Sequence, residues 1–104
     1  MKQITWTNLD GVEVTAQIKS RIKYSELAAI AIAVRNDVFK GNQYRPYMME
    51  IGYWNYVLAY YTDISFTDSD RMMEELESGK LKSVLMKHID NGQLHYLRSL
   101  IDDM

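Results

Sequence analysis

A chain of 104 residues, 47% of them hydrophobic, holds material for one core and not two, and its eight Tyr, two Trp and two Phe exclude a disordered segment, which lacks the large apolar groups that offset chain entropy. Without cysteine there is no disulfide framework, no thiolate zinc site and no thiol nucleophile, which fits an intracellular home or any site where stability comes from packing alone. A net charge of −2 gives no general attraction to nucleic acid; the polar N-terminus predicts no export, and the apolar stretch over 27–34 falls well short of the about 20 residues that cross a bilayer.

Over 3–24 the apolar residues alternate. Ile4 and Trp6 precede the turn-rich Asn8-Leu9-Asp10-Gly11, and Val12, Val14, Ala16, Ile18, Ile22 and Tyr24 then share one side. This predicts a β-hairpin with a long second strand whose wet face carries Glu13, Thr15, Gln17, Lys19, Arg21 and Lys23. The Lys19, Arg21, Lys23 stripe suits either of two roles: contact with an acidic partner, or protection of an edge strand from unwanted pairing.

Ser25 is suited to cap a helix over 26–39, with Glu26 at the positive end of its dipole. Leu27, Ala28, Ala29, Ile30, Ala31, Ile32, Ala33 and Val34 spread over more than one side, which predicts a central helix buried on most faces. Lys40-Gly41-Asn42 ends it, with Gly41 suited to the left-handed C-terminal position.

Pro46 stands where its missing amide hydrogen costs nothing, at the start of a second helix over 47–61. That helix carries one charge, Glu50, and is apolar or aromatic nearly all round. A small domain covers only part of such a surface, which predicts an exposed contact patch anchored by Tyr47, Tyr53, Trp54 and Tyr60; Trp54 alternatively belongs to the core.

An extended linker over 62–66 leads to an acidic helix over 69–78, capped by Thr67 or Asp68 and stopped by Gly79. A helix over 80–89 carries Leu81, Val84, Leu85 and Ile89 on one stripe, Asn91-Gly92 breaks the chain, and a last helix over 93–103 turns Leu94, Leu97, Leu100 and Ile101 inward. The fold class is α+β: one domain in which an N-terminal β-hairpin (1–24) packs on a bundle of four to five helices (25–104).

The residues offer no catalytic, cofactor-binding or metal-ligating constellation. His88 and His95 are separated by the Asn91-Gly92 break, and zinc takes three or four protein ligands. Asp63, Asp68, Asp70, Glu74, Glu75 and Glu77 lack the spacing of a calcium loop and read as caps and a solvated face. The five glycines are scattered singly, no Ser sits in a nucleophile elbow, and no Lys or Arg between Arg45 and Arg71 accompanies the aromatics as single-strand binding requires. The expectation is a protein without enzymatic activity, cofactor, direct nucleic-acid contact or membrane contact.

Residues 1–47 carry seven Lys or Arg against four acids, and residues 48–104 carry five against ten. This is either an unevenly solvated surface or the basis of a homo-oligomer, in which the Lys19, Arg21, Lys23 stripe of one copy meets the 68–77 region of the next.

Tyr44-Arg45-Pro46-Tyr47, followed by the aromatic helix and by Leu58-Ala59-Tyr60-Tyr61-Thr62-Asp63-Ile64, resembles a recurring pattern in small proteins of tailed bacteriophages. In that pattern a hairpin and a buried helix come first and an acidic helical C-terminus closes the chain, its last element surviving here as Asn91-Gly92-Gln93-Leu94. The resemblance implies a virion or morphogenesis component of capsid, neck or tail, located in the virion or in the host cytoplasm during assembly, with other phage structural proteins as partners. A different class, the small phage-encoded inhibitor that binds and blocks a host defence complex, suits the acidic C-terminal half.

Overall fold

The computed structural model describes residues 1–103. The N-terminal alternation places Ile4, Trp6, Ala16 and Ile18 on one buried side of an antiparallel hairpin, β1 (Lys2–Thr7) and β2 (Glu13–Ile18), in the register Lys2↔Ile18 through Thr7↔Glu13. Asn8 closes the turn, its side-chain oxygen accepting from the Asp10 and Val12 amides, and Gly11 takes the left-handed position at φ +78°.

β2 is shorter than the alternation predicts, because the backbone after Ile18 finds partners outside the ladder. Lys19 N–H donates to the Tyr61 carbonyl, Asp90 N–H donates to the Ser20 carbonyl, and the Gln93 side chain takes both backbone groups of Ile22. The outer edge of β2 is covered by the chain at Thr62 and Asp63, through the Ile18↔Thr62 bridge and a hydrogen bond from Gln17 N–H to the Asp63 carboxylate. Lys19, Arg21 and Lys23 therefore do not form a strand stripe.

α1 (Tyr24–Val38) begins just ahead of the expected cap Ser25: Lys23 is the N-cap residue, and the Glu26 carboxylate accepts its amide hydrogen at 3.0 Å. Leu27, Ile30, Ala31, Val34 and Val38 form one buried stripe, while Ala28, Ala29 and Ile32 face solvent. The expected burial on most faces is thus corrected to burial on one. Gly41-Asn42 does not cap the helix either. It turns a second small hairpin, β3 (Phe39–Lys40) with β4 (Gln43–Tyr44), in which Gly41 at φ +62° supplies the first central position of a two-residue turn.

Pro46 lies in a turn just ahead of α2 (Met48–Tyr61), where the Met48 and Met49 amides donate to the Arg45 and Pro46 carbonyls. This is the enclosed helix, with Gly52, Tyr53, Trp54, Val57, Leu58 and Tyr61 buried. α3 (Ser69–Glu77) is capped by the Asp68 carboxylate, which accepts from Asp70 N–H. At Gly79 a Cβ would sit 2.6 Å from the Glu75 carbonyl oxygen, so glycine permits the tight turn into α4 (Leu81–His88).

The break before α5 (Asn91–Asp102) falls at Ile89 and Asp90, since Asp90 caps α5 through Gln93 N–H and leaves Gly92 inside the first turn. One core runs from Ile4 and Trp6 through α1 and α2 to Leu97 and Ile101, in a body of 42 × 27 × 17 Å. No helix among the described residues is long and apolar enough to cross a membrane.

Candidate interaction surfaces

Two of the four expected aromatic anchors are not on the surface. Tyr53 and Trp54 are each 2% exposed, because α4 and α5 bring cations over the rings that α2 itself leaves uncharged. The Arg98 guanidinium lies 3.5 Å from the Tyr53 ring centroid and donates to both Glu50 oxygens at 2.6 and 3.2 Å, and Lys82 Nζ lies 5.6 Å from the Trp54 ring. Hydrogen bonds from Arg98 hold the Glu50 carboxyl below its ordinary range. Burial works against the charge on Arg98, and Glu50 and Tyr53 together more than offset it, so the guanidinium is raised. Tyr60 is half-buried against the core, and Tyr47 is exposed.

The exposed aromatic surface lies instead along α1. Tyr24, Ala28 and Ile32 follow one another at i, i+4 and i+8 on its solvent face, and the line continues to Phe39. No charged residue occurs over 27–34. Both ends are aromatic: Tyr24 meets Tyr96 of α5 edge-on at 5.5 Å, and Phe39 stacks on Tyr44 at 5.0 Å with the Arg35 guanidinium 5.5 Å from its ring. Tyr47 is exposed just beyond β4. Fifteen residues at the helical rise give this strip about 22 Å of length before the hairpin extends it. Two sequence features underlie this surface: the Ala and Ile run, whose two-sided spread leaves one side for solvent as readily as it predicts burial, and Gly41-Asn42 between Phe39 and Tyr44, which suits a two-residue hairpin between strand formers as well as a helix end.

Lys19 and Arg21 come together with Lys2, Ser20 and His88 around an open depression of about 450 Å³, and Lys23 lines an adjoining one with Ile22 and Glu26. Arg21 pairs with Asp90, whose carboxyl is held below its ordinary range by the Gln93 amide and by Arg21. On α3, Asp70, Glu74 and Glu77 are exposed. Glu75 on the same helix is buried and satisfied by Leu9 N–H and Arg71, so it offers no free carboxylate to the cleft it shares with Trp6, Asp63, Ile64 and Phe66.

His88 belongs to the basic depression, and His95 stands exposed on α5. Among the described residues no group of three or more His, Asp or Glu is placed to hold a metal ion. No protein-family model matches the chain, and comparison with curated proteins and with solved structures finds no match.

Proposed function

We propose that the chain is a non-enzymatic structural or assembly protein of a tailed bacteriophage, working through protein contacts in the capsid, neck or tail and in the host cytoplasm while the particle is built. The observation that carries this reading is the solvent face of α1, uncharged over 27–34 and bounded by exposed aromatics at both ends. Scattered apolar residues are ordinary on a surface, whereas a continuous strip that is charge-depleted and aromatic has the composition of an interface core. The phage context comes from the resemblance over 44–64, and the start of that segment supplies Tyr44 and Tyr47 to the end of the strip. The partners are other particle proteins and further copies of the chain; contact with nucleic acid or membrane plays no part.

Mass spectrometry of gradient-purified particles and of assembly intermediates tests the reading. The chain is expected in one or both, and its absence from both overturns the proposal. A second reading is favoured by the exposed acidic row Asp70, Glu74 and Glu77, which suits an inhibitor that blocks a nucleic-acid-directed defence complex by charge mimicry. A pull-down from host lysate that recovers such a complex supports the second reading, and one that recovers capsid or tail protein supports the first.

A further inference from the structure

Charge on this molecule is sorted by end. Lys2 and Lys19 stand at the open end of the β1–β2 hairpin, where Lys2 pairs with Ile18, and Arg21, Lys23 and His88 continue the basic surface from there. α3 is fastened to the opposite end: Leu9 N–H donates to both Glu75 oxygens at 3.1 and 3.2 Å, and Arg71 donates to the Asp10 carboxylate at 2.9 Å. Six-residue strands separate these ends by about 20 Å, roughly twice the distance over which salt screens exposed charges. The lysines of one end therefore do not neutralise the acids of the other within one chain. Among the described residues neither Lys2, Lys19 and Lys23 nor Asp70 and Glu74 form an ion pair. Asp70, Glu74 and Glu77 repeat at i, i+4 and i+7, so one face of α3 carries three exposed carboxylates along about 10 Å, of which Glu77 lies 3.4 Å from Lys82 Nζ in an exposed pair and Asp70 and Glu74 are unpaired.

We propose that the basic depression formed by Lys2, Lys19, Arg21 and His88, with Lys23 beside it, is the docking site for the Asp70, Glu74 and Glu77 face of α3 in a second copy of this chain. The depression is concave and the acidic row is borne on a rigid helix. Asp90 already engages Arg21 at its edge, so a carboxylate is the ligand this surface accepts within its own chain. A nucleic-acid backbone is the weaker candidate, because a chain of net charge −2 repels a polyanion overall, whereas the complementary surface stands on the molecule itself. The contact is heterologous: each pair of copies leaves one basic and one acidic end unfilled, so repetition closes a ring or extends a row. It concerns how copies meet and holds whatever larger body they join.

The test uses two variants of the full chain. Lys2→Gln/Lys19→Gln/Lys23→Gln silences the basic end, and Asp70→Asn/Glu74→Gln/Glu77→Gln silences the acidic end; circular dichroism verifies that each retains its helices. By sedimentation at high concentration and low salt, wild type forms species larger than a dimer that shrink as salt is raised. Either variant alone associates about tenfold more weakly or less well still, since several exposed pairs are lost together. An equimolar mixture of the two retains one intact contact and stops at a 1:1 dimer. A monomeric wild type overturns the proposal, as do variants that associate like wild type, which would assign self-association to another face. A monomeric wild type that is retained on double-stranded DNA, with the lysine variant not retained, overturns it in favour of a phosphate backbone. Absence of the chain from phage particles leaves all these outcomes unchanged, so the two proposals fail separately.

Discussion

Gln93 is 3% exposed, and its side chain ties together three parts of the chain. Its Oε1 accepts from Ile22 N–H at 3.0 Å and from the Tyr61 hydroxyl at 2.7 Å, and its Nε2 donates to the Ile22 carbonyl at 2.8 Å. Burial pushes the Tyr61 hydroxyl well above its ordinary range, so it stays a protonated donor throughout the physiological range. Gln93→Leu strands three buried polar groups, each worth about 1–3 kcal/mol, and denaturant titration should show a loss of about 3 kcal/mol or more. Tyr61→Phe removes one donor and should cost about 1 kcal/mol.

Glu50 makes a pH-dependent contribution. Its folded pKa lies below its unfolded value of 4.5, so the stability it adds is present above that pH and is lost as pH falls through the lower folded value. The side chain is 52% exposed, so screening keeps the contribution below about 1 kcal/mol. Glu50→Gln should flatten the fall in denaturation midpoint as pH drops below the unfolded value of 4.5 relative to wild type; a fall as steep as the wild type's would contradict the Arg98 pairing.

At the scale of elements, α2 is more enclosed than its sequence suggests, and α1, while keeping a buried stripe in the core, exposes one face. Trp54→Ala should cost about 3–5 kcal/mol, because the ring lies in the core and its loss unfolds the chain instead of weakening a surface contact. Ile32→Glu should leave stability within about 0.5 kcal/mol, while placing a carboxylate in the middle of the uncharged strip and abolishing partner binding. A thermal melt paired with a binding assay separates the two. The features legible in the sequence were local: the alternation of β1, the Asn8 turn, the span of α2, the Asp68 cap and the stripe of Leu81, Leu85 and Ile89. The rest depended on residues distant in the chain. Nothing near α2 announces that Arg98 and Lys82 will cover its rings, and nothing in the alternation past Ile18 announces that Gln93 and Asp90 will capture the backbone there. The Ala and Ile run of α1 suggested burial on most faces, yet the solvent side of that helix is where the exposed apolar strip lies.

At the scale of the whole molecule, the proposed assembly role divides between two surfaces. Exposed ion pairs contribute about 0–1 kcal/mol each, so on that proposal the charged ends of the hairpin would orient copies, and the large aromatic side chains of the α1 strip would supply most of the affinity for the body they build. The most direct test of this division is hydroxyl-radical footprinting of the free chain against the assembled particle. Tyr24, Phe39, Tyr44 and Tyr47 should lose most of their oxidation on assembly, while Met86, exposed on α4 and outside the strip, keeps its rate. Unchanged oxidation of the four strip residues in a particle that contains the chain would contradict the account.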